Sequence, residues 1–134
     1  ACIMAIGACV IDPLPEAIKP SVAVLDRYWL TAEAASLYAR AAAVISFEMH
    51  SPIMAVSAGT PAMLLRQPTD TRKGQMWRDI GLDSWIFEID ASTGKDIVAR
   101  LLEIGKDLRT ARNTVAKSRK FVDERMAAMV AAIG

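Results

Sequence analysis

Four short aliphatic runs, each followed by a stretch with helical spacing, constrain this chain more than any other feature. They are Ser21–Leu25 (SVAVL), Ala43–Phe47 (AVISF), Pro61–Leu65 (PAMLL) and Ser84–Ile89 (SWIFEI). Each has the length of a strand, and proline, glycine or polar residues set each one off. Strands that alternate with helices form a parallel sheet, because parallel neighbours need a crossover connection.

The helical stretches between the runs carry their own punctuation. Thr31 is a favourable N-cap with Glu33 in the first turn, and Leu37, Tyr38 and Ala41 share an apolar face. Pro52 suits the first position of a short helix built from Ala55, Ser57 and Ala58, and Gly59 suits its left-handed stop. A helix is expected over Arg72–Ile80, ended by Gly81. Ser92 or Thr93 caps another from Lys95 to Leu108, and Thr110–Ile133 has no internal breaker. Near the start, Ala1–Val10 fits a buried strand or a helix end, and Asp12-Pro13-Leu14-Pro15 interrupts regular structure. The fold class predicted is α/β, a Rossmann-like parallel sheet with flanking helices.

A chain of 134 residues is one domain's worth and long enough to bury a core. Sixteen basic residues against fifteen acidic leave a net charge of +1, so no global field draws in nucleic acid. No run approaches the roughly 18 apolar residues of a membrane span, and Ala1–Ile11 lacks the basic leader of a signal peptide. Cys2 and Cys9 are expected to be reduced and buried, since they lack metal-site or redox spacing. The first residue is not methionine, which reads as a piece of a longer protein, with the residues before Ser21 the remnant of a truncated element.

In parallel sheets, ligands bind beyond the carboxyl ends of the strands. Glu48, His50, Ser51, Arg66, Gln67, Arg72 and Lys73 all fall at that edge. His50 is the only histidine, and Glu48 lies two residues before it, on the same face of an extended segment. A carboxylate beside an imidazole orients it and favours its protonated form, which suits a general acid or base. The competing reading is a histidine that caps the next helix. Ser51 and the following amides form a helix N-terminus suited to an anion, or an ordinary cap. Arg66, Arg72, Lys73 and Arg78 would hold an anion, or form a solvated face with Asp70 and Asp79. Trp77 and Trp85 read as core, Met49, Met54, Met63 and Met76 as packing, and Tyr28 and Trp29 as pocket lining. No metal-ligand cluster, P-loop or Gly-x-Ser-x-Gly elbow is present, and no cofactor is expected.

From Thr31 to Asp90 the chain resembles the C-terminal half of polysaccharide pyruvyl transferase family proteins. The residues that carry the resemblance are Ser46-Phe47-Glu48-Met49-His50, Ala58-Gly59-Thr60-Pro61, Met63-Leu64-Leu65, Lys73 and Ile80-Gly81-Leu82. The resemblance implies one lobe of a GT-B-like two-lobed enzyme that transfers a pyruvyl group from phosphoenolpyruvate to a sugar hydroxyl. It implies a glycan or lipid-linked sugar as acceptor, an N-terminal lobe completing the cleft, and a cytoplasmic setting at the inner face of the membrane. His50 and Lys73 match the family's motif histidine and lysine. Glu48 stands where the family carries arginine, which shifts the donor-binding role toward Arg66 or Arg72. A lone lobe would be inactive. The alternatives are a nucleotide-sugar glycosyltransferase or epimerase lobe of the same architecture, and a non-catalytic glycan-binding descendant.

Overall fold

The computed structural model describes residues 7–67 and 72–133, except the side chains of residues 7 and 73. The chain divides into two compact units, Ala1–Leu30 and Thr31–Gly134.

The first unit contains irregular structure. A π-helical turn spans Gly7–Ile11, and a 3₁₀ turn with Pro20 spans Lys19–Ser21. The strand expected at Ser21–Leu25 does not form. Residues 22–30 carry no helix or strand and pair with no strand among the described residues, and Val22, Val24 and Leu25 are exposed. A strand needs a neighbour to satisfy its backbone groups, and local composition cannot provide one. Cys9 is a free thiol and is exposed rather than buried, while Cys2 and most of the Ala1–Val10 run lie outside the described residues. Tyr28 is fully exposed and Trp29 partly so.

The second unit holds the sheet. Helix α1 (Thr31–Arg40) leads to strand β1 (Val44–Ser46), followed by α2 (His50–Ser57) and β2 (Ala62–Arg66). A 3₁₀ turn over Arg72–Gly74 runs into α3 (Gln75–Asp79), so the helix expected over Arg72–Ile80 is shorter and tighter at its start. A second 3₁₀ turn, Asp83–Trp85, precedes β3 (Ile86–Glu88), and α4 (Gly94–Lys106) and α5 (Leu108–Ile133) complete the unit. The strands are parallel in the order β1–β2–β3, with Ile45 opposite Met63 and Arg66 opposite Glu88. This is a three-stranded parallel α/β sheet with flanking helices, as the alternation predicted. The fourth expected run supplies its third strand, at an edge.

Central strand β2 is apolar along most of its length because it is buried. Ala62, Met63, Leu64 and Leu65 are all buried and form the core with Ala55, Val56, Trp77, Leu82, Trp85, Ile104 and Val115. Of the methionines read as packing, Met63 is fully buried, Met49 and Met54 are half-buried, and Met76 is exposed.

Two glycines allow the tight connections. Gly59 adopts φ +86° after α2, and its amide donates to the Val56 carbonyl at 2.9 Å. Thr60 follows, buried, with its hydroxyl donating to the Tyr38 carbonyl at 2.8 Å, which ties this turn to α1. Gly81, at φ +76°, lets the Leu82 amide reach the Trp77 carbonyl at 2.9 Å.

Helix α5 is buried through Ala111, Val115 and Ser118. The same helical face continues as Val122, Met126, Met129 and Ile133 at spacings of three and four, and the last three of these side chains are exposed. No described helix is long and apolar enough to cross a membrane.

Candidate functional site

The carboxyl ends of β1 and β2 lie at the same edge of the sheet, because the strands are parallel. From β1 the chain turns at once into α2, and this turn builds the Glu48–His50 pair. Met49 is helical in conformation (φ −66°, ψ −34°), so the pair meets through a turn rather than along an extended strand.

One Glu48 oxygen, Oε2, accepts the amides of His50 at 2.8 Å and Ser51 at 3.2 Å. The other, Oε1, meets Nδ1 of the His50 ring. The Ser46 hydroxyl accepts the Glu48 amide at 2.9 Å, fixing the carboxylate's own backbone. Slight burial pushes the Glu48 pKa up, but hydrogen bonds from the His50 amide and ring and the Ser51 amide, with the His50 charge, outweigh it. The carboxyl is held below its usual range.

Glu48 therefore serves as the anion of the α2 N-terminus. The amides that an external phosphate would need are satisfied from within the chain. Ser51 has a further partner, since its Oγ accepts the Tyr38 hydroxyl at 3.0 Å. The His50 side chain is 82% exposed, so its ring is open to solvent while one nitrogen is held by Glu48.

The predicted cations divide. Arg72 lines an open groove of about 510 Å³ together with His50, Met49, Ile53, Gln75 and Asp79. Gln75 Nε2 donates to Asp79 Oδ1 at 3.0 Å along the groove wall. Arg66 lies elsewhere: its Nη1 donates to Glu88 Oε1 at 3.0 Å, and Arg78 Nη2 donates to the same oxygen at 3.2 Å. These three charges bridge β2, β3 and α3. Arg66 also lies against Gly74, where an added Cβ would come within 2.6 Å of Arg66 Cδ. Gln67 is exposed just beyond β2, and the Lys73 side chain lies outside the described residues.

The structure thus brings His50 and Arg72 to one groove, with Glu48 holding the His50 ring from outside its lining, and pairs Arg66 with Glu88. Gln75 and Asp79 are groove residues that the sequence reading missed. Their signal was the spacing of Arg72, Gln75, Met76 and Asp79, which places all four on one helical face. Among the described residues, no group of three or more His, Cys, Asp or Glu side chains is placed to hold a metal ion. Chemically, the groove presents an imidazole, whose ring Glu48 holds from behind, a guanidinium and the Asp79 carboxylate. Compared with family models, curated proteins and solved structures, the chain matches none.

Proposed function

We propose that this chain is one lobe of a two-lobed, GT-B-like transferase of the polysaccharide pyruvyl transferase type. It would move a pyruvyl group from phosphoenolpyruvate to the hydroxyls of a glycan or lipid-linked sugar and form a ketal. The observation that carries this reading is the placement of His50, held by Glu48, and Arg72 along one groove beside the carboxyl edge of a parallel sheet.

Ketal formation needs a proton delivered to the enol methylene, a proton removed from each of two attacking hydroxyls, departure of the donor's phosphate as inorganic phosphate, and cations that hold that phosphate and the carboxylate. His50 would carry a proton in one of these steps, with Glu48 fixing the ring through Nδ1 and leaving Nε2 for the substrate. Arg72 would hold the donor anion by a forked contact. Arg66 is assigned instead to the Glu88 pair, and the α2 amides to Glu48. Lys73 is kept as a second cation on the strength of the resemblance. The opposing wall of the cleft would come from an N-terminal lobe.

The test is a thermal-shift panel on the protein carrying both lobes, followed by turnover. Phosphoenolpyruvate is expected to raise the melting temperature, and Arg72→Ala to abolish that shift. His50→Ala should keep the shift and the fold, because its ring is exposed, while ketal formation falls by about 100-fold or more. Stabilisation by a nucleotide sugar alone would move the assignment to a glycosyltransferase or epimerase. Stabilisation by neither would indicate a glycan-binding lobe, and unchanged turnover in His50→Ala would remove the catalytic role.

A further inference from the structure

We propose that the open edge of β1 takes up the Ser21–Leu25 run of a second copy of this chain as a fourth strand, and that two copies exchange these runs reciprocally. The inference concerns the sheet and stands apart from the reading of the His50–Arg72 groove.

Strand β1 (Val44–Ser46) is the unguarded edge of the sheet. It pairs only with β2, so its other side carries no strand among the described residues. Natural sheets blunt such edges with charge, proline or a bulge, because an open row of amides and carbonyls templates further pairing. The segment Ala43–Phe47 (AVISF) has no charge or proline, and its register with β2 runs without a bulge. The β3 edge, by contrast, ends in Glu88. Ile45 is 38% exposed and Phe47 61%, although parallel sheets ordinarily have their faces covered. An apolar groove of about 470 Å³ lies beside the start of β1, lined by Ala42 and Ala43 and by Leu101, Leu102 and Leu108 of α4 and α5.

The Ser21–Leu25 run has the complementary need. It is uncharged, holds two valines, and has the length and composition of a strand buried in a parallel sheet. The Val22 amide closes the preceding 3₁₀ turn on the Lys19 carbonyl at 3.0 Å, so pairing would begin at Ala23. Val22, Val24 and Leu25 are exposed. Each chain thus carries a strand-forming run without a neighbour and a sheet edge without a cover. Two copies supply each to the other, and a two-fold exchange closes on itself. Charge does not oppose the encounter, since run and edge are uncharged and each copy carries only +1. A charged strand from another protein would be desolvated against Ile45 and Phe47 without a counter-ion. The core of residues 31–134 is complete without the run, so the copies fold first and pair afterwards.

The test is light scattering on the 134-residue chain over a roughly hundredfold range of concentration, where the dimer fraction is expected to rise with concentration. Val24→Lys charges the run and Ile45→Lys charges the edge. Each should weaken dimerisation by about tenfold or more, with circular dichroism unchanged because both positions are exposed. If Ile45→Lys does not fold, Phe47→Lys takes its place, being more exposed. Met129→Glu, on the apolar face of α5, should leave the dimer intact. Mixing the two weakened chains separates reciprocal exchange from other pairings. The Val24→Lys chain keeps a sound edge and the Ile45→Lys chain a sound run, so the mixture should dimerise more tightly than either chain alone through one restored junction.

A monomer at every concentration would overturn the proposal, as would a dimer insensitive to both lysine substitutions. A mixture no tighter than its components would also overturn it and mark β1 of one copy as pairing with β1 of the other. Loss of the dimer in Met129→Glu, with Val24→Lys unaffected, would overturn it in favour of association through α5.

Discussion

Glu48 joins a local sequence pattern to a tertiary consequence. Two residues before His50, it was legible as a partner for the ring. Its second role, accepting the first amides of α2, follows from the helical turn at Met49. The hydrogen bonds lower its pKa, so the unfolded chain binds more protons than the folded one between the two pKa values. The stability Glu48 contributes is therefore full above the ordinary carboxylate range and is lost as pH falls through the lowered folded value. Glu48→Gln should lower the melting temperature at pH 7, and the gap from the native protein should close as the pH falls below about 4. A gap that stayed constant with pH would exclude this origin. Gly74 raises a steric question at the same scale. It is buried beneath the Arg66 side chain, which Glu88 holds in place. Gly74→Ala should displace Arg66 from Glu88 and cost about 1–3 kcal/mol, measured by denaturant unfolding. A stability within about 0.5 kcal/mol of the native protein would show that the side chain moves aside freely.

Among the elements, the ones with local signals formed where expected. Thr93 caps α4 in a reciprocal box: its hydroxyl accepts the Asp96 amide, and the Asp96 carboxylate accepts the Thr93 amide at 2.8 Å. Of the two caps that the sequence offered, Thr93 is the one used, and Thr93→Ala should cost about 1 kcal/mol. An unchanged unfolding midpoint would show that α4 is held by packing alone. The Ser21–Leu25 run shows the opposite case. Its composition matches a strand as well as Ala43–Phe47 does, yet only the latter has β2 beside it. The partner of Arg66 was hidden for a related reason. Glu88 is 22 residues away, and only the β2–β3 register sets the two side by side. A charged residue ending the run SWIFEI was the one available hint.

At the scale of the whole molecule, the buried apolar residues among those described run from Ala34 to Val115 and all lie in the second unit. A polypeptide of residues 31–134 should therefore fold cooperatively by itself. Its thermal unfolding should be sigmoidal, with a midpoint within a few degrees of the full chain, and a broad, non-cooperative melt would contradict this. The far half of α5 marks where this self-sufficiency stops. Its apolar face continues past Ser118 without a covering surface, through Met126, Met129 and Ile133. By itself the sequence determined the α/β class, the helices other than the shortened α3, the Gly59 and Gly81 turns and the Glu48–His50 pair. Each of these depends on periodicity, backbone freedom or contacts a few residues apart. The tertiary structure alone decided which aliphatic runs pair, and that Arg66 faces Glu88. It also decided that Arg72 shares a groove with His50. Those outcomes depend on strand register and on packing between residues distant in the chain, where many pairings compete and local chemistry does not choose among them.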